Sequence, residues 1–365
     1  MNIVSKVINR LELEKCKIEQ YRVGKKFNAT LEEAYEKLEM FSHDPKTSCY
    51  RDNKKIIMGG GGGYDLSVIV PVYNTATYLK RCIDSIVDQN SGYRIQCIII
   101  NDGSSDDSEK ILSSYKDRDG VTIINQNNKG FSGARNTGLD RIAGRYVMFV
   151  DSDDRLAMMA IKNLLDVAVQ HNADVVAGNY RTVDESGRLR REYKKYSLRE
   201  IKPEGNLYGQ PWGKVYKAEL FANLRFPEGY WYEDSIFAQI VWPLTKCAYT
   251  IPEIVYEYTI NPKGITIKSL KKAKAVDSLY ITEQLLKDRQ KFGLTPTEEN
   301  FAYFLRMVKL TYGRTQRCNG MITKCIFIVQ CNLYKYYEGI QIKENEDLQM
   351  ALTNQDFIKY LKTVS

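Results

Sequence analysis

Short apolar runs alternate with helix-like segments between residues 66 and 177, and this alternation constrains the fold more than any other feature. The first run, "LSVIVPVY" from Leu66, is continuously apolar, as expected for a strand that is buried on both faces. The segment from Tyr78 to Asp88 then carries its apolar side chains on one face of a helix. The pattern repeats with the strands "QCIII" from Gln96, "VTII" from Val121, "RYVMFV" from Arg145 and "ADVVA" from Ala173, and with helices at 108–115, 131–142 and 158–171. It predicts an α/β protein with a doubly wound, Rossmann-like and mainly parallel sheet.

Polar residues stand where several of these strands end. Ligands of doubly wound sheets bind beyond the carboxyl ends of the strands. The residues at these ends are Pro71, Tyr73 and Asn74 for the first strand, Asp102 for the second, and Asp151, Ser152, Asp153 and Asp154 for the fourth. We therefore expect an aromatic ring and several carboxylates to meet at one edge of the sheet.

The aspartates that follow the fourth strand have two interpretations. They form a solvated turn that caps the next helix, or they bind a hard divalent cation. The eight cysteines include no CxxC pair and there are only two histidines, so nothing indicates a Cys/His zinc site. A metal would need oxygen ligands, and the position at the ligand-binding edge favours a cation site. Asp154 is assigned either to metal support or to the helix cap.

The third helix is preceded by the basic, glycine-rich segment "NNKGFSGARNTGL", which contains Lys129 and Arg135. A helix that begins in this way is suited to bind an anion, although a solvated basic helix entry is the alternative. The first strand is followed by neither GxGxxG nor a Walker A loop, which argues against a dinucleotide-binding domain and a P-loop NTPase.

The chain is predicted to contain a helical extension with a linker (1–63), a catalytic domain (64–266) and a helical C-terminal region (267–365). Thr30 and Glu33 have the spacing of a capping box, and the five glycines 59–63 form either a flexible joint or an engineered linker. The C-terminal core candidates are Tyr280, Leu285, Leu286, Phe301, Phe304 and Leu305. Packing on the catalytic core and contact with a membrane surface are both open for these helices.

The charge pattern permits an anionic partner. The net charge is +8, and residues 188–202 contain seven basic against two acidic side chains. A phosphate-bearing substrate or an acidic lipid surface would suit this excess, whereas no motif indicates nucleic acid. We expect a cytoplasmic location, because no secretory signal is evident and Cys82 and Cys97 are predicted to be buried free thiols.

Five segments occur in order along the chain: "SVIVPVYN", "NDGSSDDS", "NKGFSGARNTGL", "YVMFVDSDD" and "EGYWYEDSIF". Together they resemble the family 2 glycosyltransferases of the GT-A fold, over roughly Asp65 to Thr266. The resemblance is strongest to bacterial enzymes of capsule, lipopolysaccharide and exopolysaccharide assembly. It implies a nucleotide-sugar donor, most plainly a UDP-sugar, and a glycan or lipid-linked acceptor.

The resemblance also implies roles for the donor-side residues. Pro71, Tyr73 and Asn74 would lie at the uridine, and Asp102 would hydrogen-bond the base. Lys129, Arg135 and Ser152 would lie near the nucleotide. Asp151 and Asp153 would form a D-x-D motif, in which Asp151 contacts the ribose and Asp153 contacts Mn²⁺ or Mg²⁺ at the diphosphate.

On the acceptor side, Asp234 would be the general base and Glu233 its partner, which implies single displacement with inversion. The alternative for this pair is an acidic first turn of a helix. Trp212 would be either an apolar platform for a sugar or part of the core. The family often has a basic residue near a Ser-Ile-Thr, where this chain has "YEYTINPKGIT", so Lys263 is assigned to the diphosphate from a shifted position.

Two other functions remain to be compared with the transferase. A glycosidase also needs two acids, but it has no use for the nucleotide-site segments. A catalytically inactive glycan-binding or scaffold subunit of a polysaccharide-assembly complex could lose the D-x-D motif or the base, and this chain retains both.

Overall fold

The computed structural model describes residues 3–24, 26–52, 63–261 and 273–364. These residues form two compact units. The sheet unit contains residues 47–52, 63–229 and 233–261, and the helical unit contains residues 3–24, 26–46, 230–232 and 273–364. Residues 3–24 and 26–46 of the predicted N-terminal extension thus belong to the same unit as residues 273–364, whereas residues 47–52 belong to the sheet unit. Of the glycine run, Gly59 to Gly62 lie outside the described residues, as does Lys263.

The helices and strands are numbered in chain order. The helices are α1 (Ile3–Gly24), α2 (Leu31–Phe41), α3 (Ala76–Val87), α4 (Ser108–Ser113), α5 (Gly130–Leu139), α6 (Ala160–Gln170), α7 (Trp242–Leu244), α8 (Asp277–Lys291), α9 (Glu298–Thr315), α10 (Gly320–Tyr334), α11 (Glu346–Thr353) and α12 (Phe357–Val364). The strands are β1 (Tyr64–Val72), β2 (Ile95–Asn101), β3 (Val121–Asn125), β4 (Gly144–Phe149), β5 (Arg155–Leu156), β6 (Val175–Val183), β7 (Leu189–Tyr193), β8 (Arg199–Ile201), β9 (Lys214–Lys217) and β10 (Ala248–Thr259). A π-helix (Phe237–Val241) leads into α7, and 3₁₀ turns lie at Ala218–Phe221, Ala273–Val276 and Lys335–Tyr337.

The strands of the sheet unit form one sheet in the order β3-β2-β1-β4-β9-β6-β10-β5, with β7 paired to β6 and β8 paired to β10. β1 pairs in parallel with β2 and β4, and β2 pairs in parallel with β3. β6 and β10 are also parallel to each other. The α/β class and the mainly parallel sheet predicted from the alternation are confirmed.

One short strand departs from the predicted pattern. β9 lies between β4 and β6 and is antiparallel to both, with Tyr146 opposite Lys217 and Val175 opposite Tyr216. The segment "ADVVA" therefore forms the strand β6 but does not pair directly with β4. A four-residue strand carries too short an apolar pattern to be distinguished from a loop in the sequence.

The helices pack on the sheet through the apolar side chains that the helical spacing predicts to share one face. Leu79, Cys82, Ile83 and Ile86 of α3 are each fully buried. α5 approaches the sheet more closely, because a methyl group at Gly138 would lie 2.5 Å from the side chain of Ile69. The glycine thus allows the backbone of α5 to lie against β1.

The helical unit is stabilised by local caps and by an apolar interior. The Thr30 hydroxyl accepts a hydrogen bond from the Glu33 amide at 3.2 Å, and the Glu33 carboxylate accepts one from the Thr30 amide at 2.8 Å, so the predicted capping box is confirmed. The six predicted C-terminal core residues are each at most 3% exposed. No helix of the described part of the chain has the length and the apolar composition that crossing a bilayer would require.

Candidate functional site

The register of the parallel strands brings the predicted site residues to one edge of the sheet. Val72 lies opposite Asn101, and Ile69 lies opposite Phe149. The residues that follow these pairs therefore leave the sheet on the same side. The loops after β1, β2 and β4, which carry Tyr73, Asp102 and Asp151, form the edge where doubly wound sheets bind ligands.

The loop after β1 presents an aromatic ring to solvent. Tyr73 is 53% exposed, whereas Pro71 before it is half-buried. Asn74 has a left-handed backbone (φ +53°), and its side-chain oxygen accepts a hydrogen bond from the Ser105 amide at 2.7 Å. The Asn74 side chain thus joins the loops after β1 and β2, and Tyr73 offers its ring for stacking.

Asp102 lies at the end of β2 and is 2% exposed. Its Oδ1 atom accepts hydrogen bonds from the Gln126 side chain at 2.6 Å and from the Lys129 amide at 2.9 Å. The carboxylate therefore fixes the start of α5 to the sheet edge. The Lys129 side chain itself is exposed at this edge.

The aspartate cluster is organised by a buried tyrosine of β10. The Tyr256 hydroxyl donates to Asp154 Oδ2 at 2.8 Å and accepts from the Asp151 amide at 3.1 Å. Asp154 Oδ1 accepts from the Thr259 amide at 2.7 Å, and the residue is fully buried. Asp154 does not cap α6, which begins after Met159 without a side-chain cap. Of the two alternatives for Asp154, the helix cap is therefore wrong, because both of its oxygens are used to join the cluster to β10.

The side chain of Asp153 is half-buried, and its hydrogen-bond partner is a neutral side chain. Its Oδ2 atom accepts a hydrogen bond from the Asn261 amide group at 3.0 Å, and its backbone oxygen accepts one from Arg81 at 3.3 Å. Burial, together with the nearby charge of Asp151, raises the pKa of Asp153. A cation would relieve this unfavourable burial of charge. Ser152 lies between the two aspartates, and its hydroxyl accepts from Thr75 at 2.9 Å.

Within the described residues, no three His, Cys, Asp or Glu side chains converge as a complete metal site. The carboxylates of Asp153 and Asp151 nevertheless suit a cation of the magnesium type, which takes one or two carboxylates from the protein and completes its shell with substrate phosphates and water. The residues present therefore fit Mn²⁺ or Mg²⁺ as a cation that is shared with substrate phosphates and water.

Arg135 of α5 joins the two acidic motifs. Its guanidinium donates to Asp151 Oδ1 at 2.8 Å and to Glu233 Oε1 at 2.6 Å. The arginine side chain is 6% exposed, that of Glu233 is 11% exposed and that of Asp151 is 29% exposed. The two carboxylates raise the pKa of Arg135, although its burial opposes them. The predicted nucleotide contact is thus held inside the protein, where it links Asp151 to the acidic pair.

The next residue of α5 holds the segment that leads to the acidic pair. The Asn136 side chain donates to the Phe226 carbonyl at 2.8 Å and to Glu228 Oε1 at 2.9 Å, and it accepts from the Phe226 amide at 2.7 Å. Residues 226–228 are therefore fixed to the same helix as Arg135.

Glu233 and Asp234 lie in a turn before the π-helix, and the amides of Ile236 and Phe237 donate to their carbonyls. Burial raises the pKa of Glu233 to about 7, even though Arg135 lowers it. Asp234 is half-buried, while Glu233 points to Arg135. Glu233 is thus bound by Arg135, and Asp234 is the more exposed of the two acids.

Comparison with known proteins agrees with this arrangement. Residues 67–227 match the family described as Glycosyl transferase family 2. The chain is 31% identical over 211 residues to the glycosyltransferase GlyG of Streptococcus pneumoniae, which covers 53% of this chain and 70% of GlyG. The chain belongs to glycosyl transferase family 2. The resemblance found in the sequence motifs is therefore confirmed.

Two other relatives share less than two thirds of their length with this chain. It is 36% identical over 224 residues to the glycosyltransferase GlyA of S. pneumoniae, covering 55% of this chain but 31% of GlyA. Against the uncharacterized glycosyltransferase EpsJ of Bacillus subtilis, it is 33% identical over 220 residues, covering 55% of this chain and 62% of EpsJ.

The fold matches that of TarS from S. aureus, whose residues 1–349 were crystallised in complex with UDP-GlcNAc. The TM-score is 0.64 at 17% identity, and the match covers 82% of this chain and 90% of that chain. The GT-A architecture expected for family 2 is thus present.

Trp212 lies in the interior of this family 2 domain. It is 7% exposed, and its ring stacks on Tyr256 with a centroid distance of 4.5 Å and meets the edge of Tyr180 at 5.0 Å. This geometry favours the core alternative over a sugar platform.

Several residues near the acidic motifs were missed by the sequence analysis. They are Tyr256, Asn261 and Arg81 around the D-x-D motif and Asn136 beside Arg135. Tyr256 and Asn136 lie inside segments already identified, but a hydrogen bond between distant segments leaves no periodic signal in the sequence. Arg81 lies within α3, whose spacing indicates only a helix, and has no such signal either.

Proposed function

We propose that this chain is an inverting, metal-dependent glycosyltransferase that transfers a sugar from a UDP-sugar to a hydroxyl of a glycan or lipid-linked acceptor. Bacterial surface-polysaccharide assembly is the proposed setting, at a cytoplasmic location with contact to the inner face of the membrane. The observation that carries the proposal is the bridge from Asp151 through the buried Arg135 to Glu233. It links Asp151, which we assign to the donor side, to Glu233, which we assign to the acceptor side, and this supports a single site for both substrates.

The donor side is supported by residues at the sheet edge and by a fold relative. The exposed ring of Tyr73 suits stacking on a base, and Asp102 and Lys129 lie at the same edge. TarS has been crystallised with UDP and with UDP-GlcNAc. We extend the UDP class, but not the identity of the sugar, to this chain. The name of a relative from B. subtilis, "Minor teichoic acid biosynthesis protein GgaB", supports the polysaccharide setting.

In the proposed reaction, Asp234 accepts the proton of the acceptor hydroxyl as that oxygen forms its bond to the anomeric carbon. The bond from this carbon to the UDP oxygen breaks in the same step, so the configuration inverts. Glu233 is bound by Arg135 and is assigned to orientation rather than proton transfer. A positioned carboxylate base contributes about 10²–10⁴ in rate.

Asp153, with Asp151 beside it, would hold Mn²⁺ or Mg²⁺ at the diphosphate. When bound, the cation would supply Lewis-acid neutralisation of the departing UDP charge. The protein's own part is to keep Asp153 oriented through Asn261 and to keep Asp151 oriented through Arg135.

The test is UDP release from a panel of UDP-sugars and acceptors with Mn²⁺, followed by single-turnover transfer in two variants. Asp234→Asn is expected to bind UDP normally and to lose about two to four orders of magnitude in turnover, because the amide cannot accept the proton. Glu233→Gln, the matched control for charge removal, is expected to lose less. Near-normal transfer by folded Asp234→Asn would refute the base assignment.

The scaffold alternative gives a different result in the same assay. A scaffold subunit would bind UDP or glycan but release no UDP with any acceptor. Melting curves of both variants exclude unfolding as the cause of lost activity.

A further inference from the structure

The loop of residues 209–213, between β8 and β9, lies between the end of β4 and the acidic pair Glu233-Asp234. The backbone of Trp212 forms a β-bridge with that of Phe149, two residues before Asp151. At the other end of the loop, a methyl group on Gly209 would lie 4.0 Å from the Asp234 carbonyl oxygen. The loop therefore borders the residue that we assign as the base.

Two side chains of β9 bind three consecutive carbonyl groups of this loop. The Lys214 ammonium donates to the Gln210 carbonyl at 2.8 Å and to the Trp212 carbonyl at 3.2 Å. The Tyr216 hydroxyl donates to the Pro211 carbonyl at 2.8 Å. Residues 214 and 216 lie on the same face of the strand, so β9 holds the loop as a unit.

Lys214 is an unusual residue to find in this position. It is 3% exposed, and no ion pair among the described residues includes it. Burial lowers its pKa to about 7. A buried amine normally costs stability unless its donors are bound, and here the bound acceptors are the loop carbonyls. Neither the donor site nor the proposed proton transfer uses this residue.

We propose that Lys214 is a positioning residue for the acceptor, because its ammonium fixes the 209–213 loop beside Asp234. The inference rests on the proposed function, since it assigns this loop to the side of the site where the acceptor hydroxyl meets the base. Without the two hydrogen bonds the Gln210 and Trp212 carbonyls lose this partner, and the loop wall next to Asp234 is held less firmly. Donor contacts at Tyr73 and Asp102 lie on other loops and are left intact.

The test compares Lys214→Met with Lys217→Met, a matched loss of a lysine on the same strand whose partner is Asp174. Hydrogen–deuterium exchange is followed for peptides that cover 207–216 and 95–105, UDP affinity is measured with Mn²⁺, and acceptor kinetics are measured in the UDP-release assay. Lys214→Met should raise exchange in 207–216 only and keep the UDP Kd within about twofold. Its kcat/KM for the acceptor should fall by about tenfold or more, as expected for a displaced wall of the site. Lys217→Met should do none of this.

Tyr216→Phe provides a second variant if Lys214→Met does not fold, because it removes one loop hydrogen bond and keeps the ring. It should also raise exchange in 207–216 and lower kcat/KM for the acceptor, each by less than Lys214→Met does. Unchanged exchange in 207–216, an equal effect of Lys217→Met, or parallel loss of UDP binding would overturn the assignment. Wild-type protein that releases no UDP would instead refute the proposed function, and the exchange data would still decide whether Lys214 holds the loop.

Discussion

Replacement of Arg135 by Met tests the bridge between the acidic motifs most directly. Methionine keeps most of the side-chain volume under Phe131 and Phe226, whose rings lie 5.8 and 5.3 Å from the guanidinium carbon. It removes the charge that compensates Glu233 at 2.6 Å. Asp151 is 29% exposed and can be hydrated, so the cost falls mainly on Glu233.

The loss in the free energy of unfolding caused by Arg135→Met follows from the burial of Glu233. Removal of one partner from a buried ion pair costs about 3–5 kcal/mol, because the remaining charge is uncompensated. Protonation of Glu233 limits this cost. Burial already raises its folded pKa to about 7, and loss of Arg135, which lowers that pKa, raises it further.

The sign of the pH dependence follows from these pKa values. The folded pKa of Glu233 lies above its unfolded value, so the folded state binds more protons and stability falls as pH rises towards the folded pKa. In the wild type this fall ends near pH 7, whereas in Arg135→Met it continues above pH 7. The difference in the free energy of unfolding should therefore grow by up to about 1.4 kcal/mol from pH 7 to pH 8.

Urea unfolding followed by circular dichroism at pH 6, 7 and 8 measures this difference. Arg135→Met combined with Glu233→Gln is the control, because it has no buried carboxyl at position 233 and should lose the extra pH dependence. An Arg135→Met deficit that is constant from pH 7 to pH 8, or a deficit that grows over this range in the double variant as well, would show that the ionisation of Glu233 does not depend on Arg135.

Two further predictions concern the metal and the packing of α5. Asp153→Asn should remove most of the UDP affinity measured by calorimetry with Mn²⁺, and EDTA should do the same to the wild type; UDP binding that neither change affects would contradict the metal assignment. Gly138→Ala should lower the free energy of unfolding by about 1–3 kcal/mol through overpacking against Ile69. Gly313→Ala in α9 should instead raise it by up to about 1 kcal/mol, since no atom lies within 4 Å of the added methyl. Equal effects of the two glycine changes in urea unfolding would refute the close approach of α5.

The sequence predicted the parallel part of the sheet because each strand and helix there carries its own apolar pattern. Leu79, Cys82 and Ile83 of α3 are buried as the helical spacing indicates. The edge that carries Tyr73, Asp102 and Asp151 followed from topology alone, since parallel strands end on the same side. The order of the strands beyond β4 could not be obtained in this way, because β9 has four residues and inserts between strands that are close in sequence.

Side-chain partners were predicted less well than positions. Arg135 and Trp212 were identified from their motifs, but their environments were not, because burial depends on segments that are far away in the chain. Arg135 meets a residue 98 positions later, and Trp212 stacks on Tyr256. The role of Asp154 was missed for the same reason, since its partners lie in β10.

Three residues within one turn of α5 make contacts in three different directions, as the geometry of a helix allows. Gly138 lies against β1, Asn136 binds the 226–228 segment, and Arg135 binds Asp151 and Glu233. Successive helical residues point about 100° apart, so neighbouring positions can face the sheet, the segment and the acids at fixed relative angles. Because the helix is rigid and is set on the sheet by a glycine, the reach of Arg135 to the two acidic motifs depends on the length of its side chain. A shortened cation, as in Arg135→Lys, could therefore not reach both carboxylates at hydrogen-bond distance, and the two acids would no longer be held together even though the charge is kept.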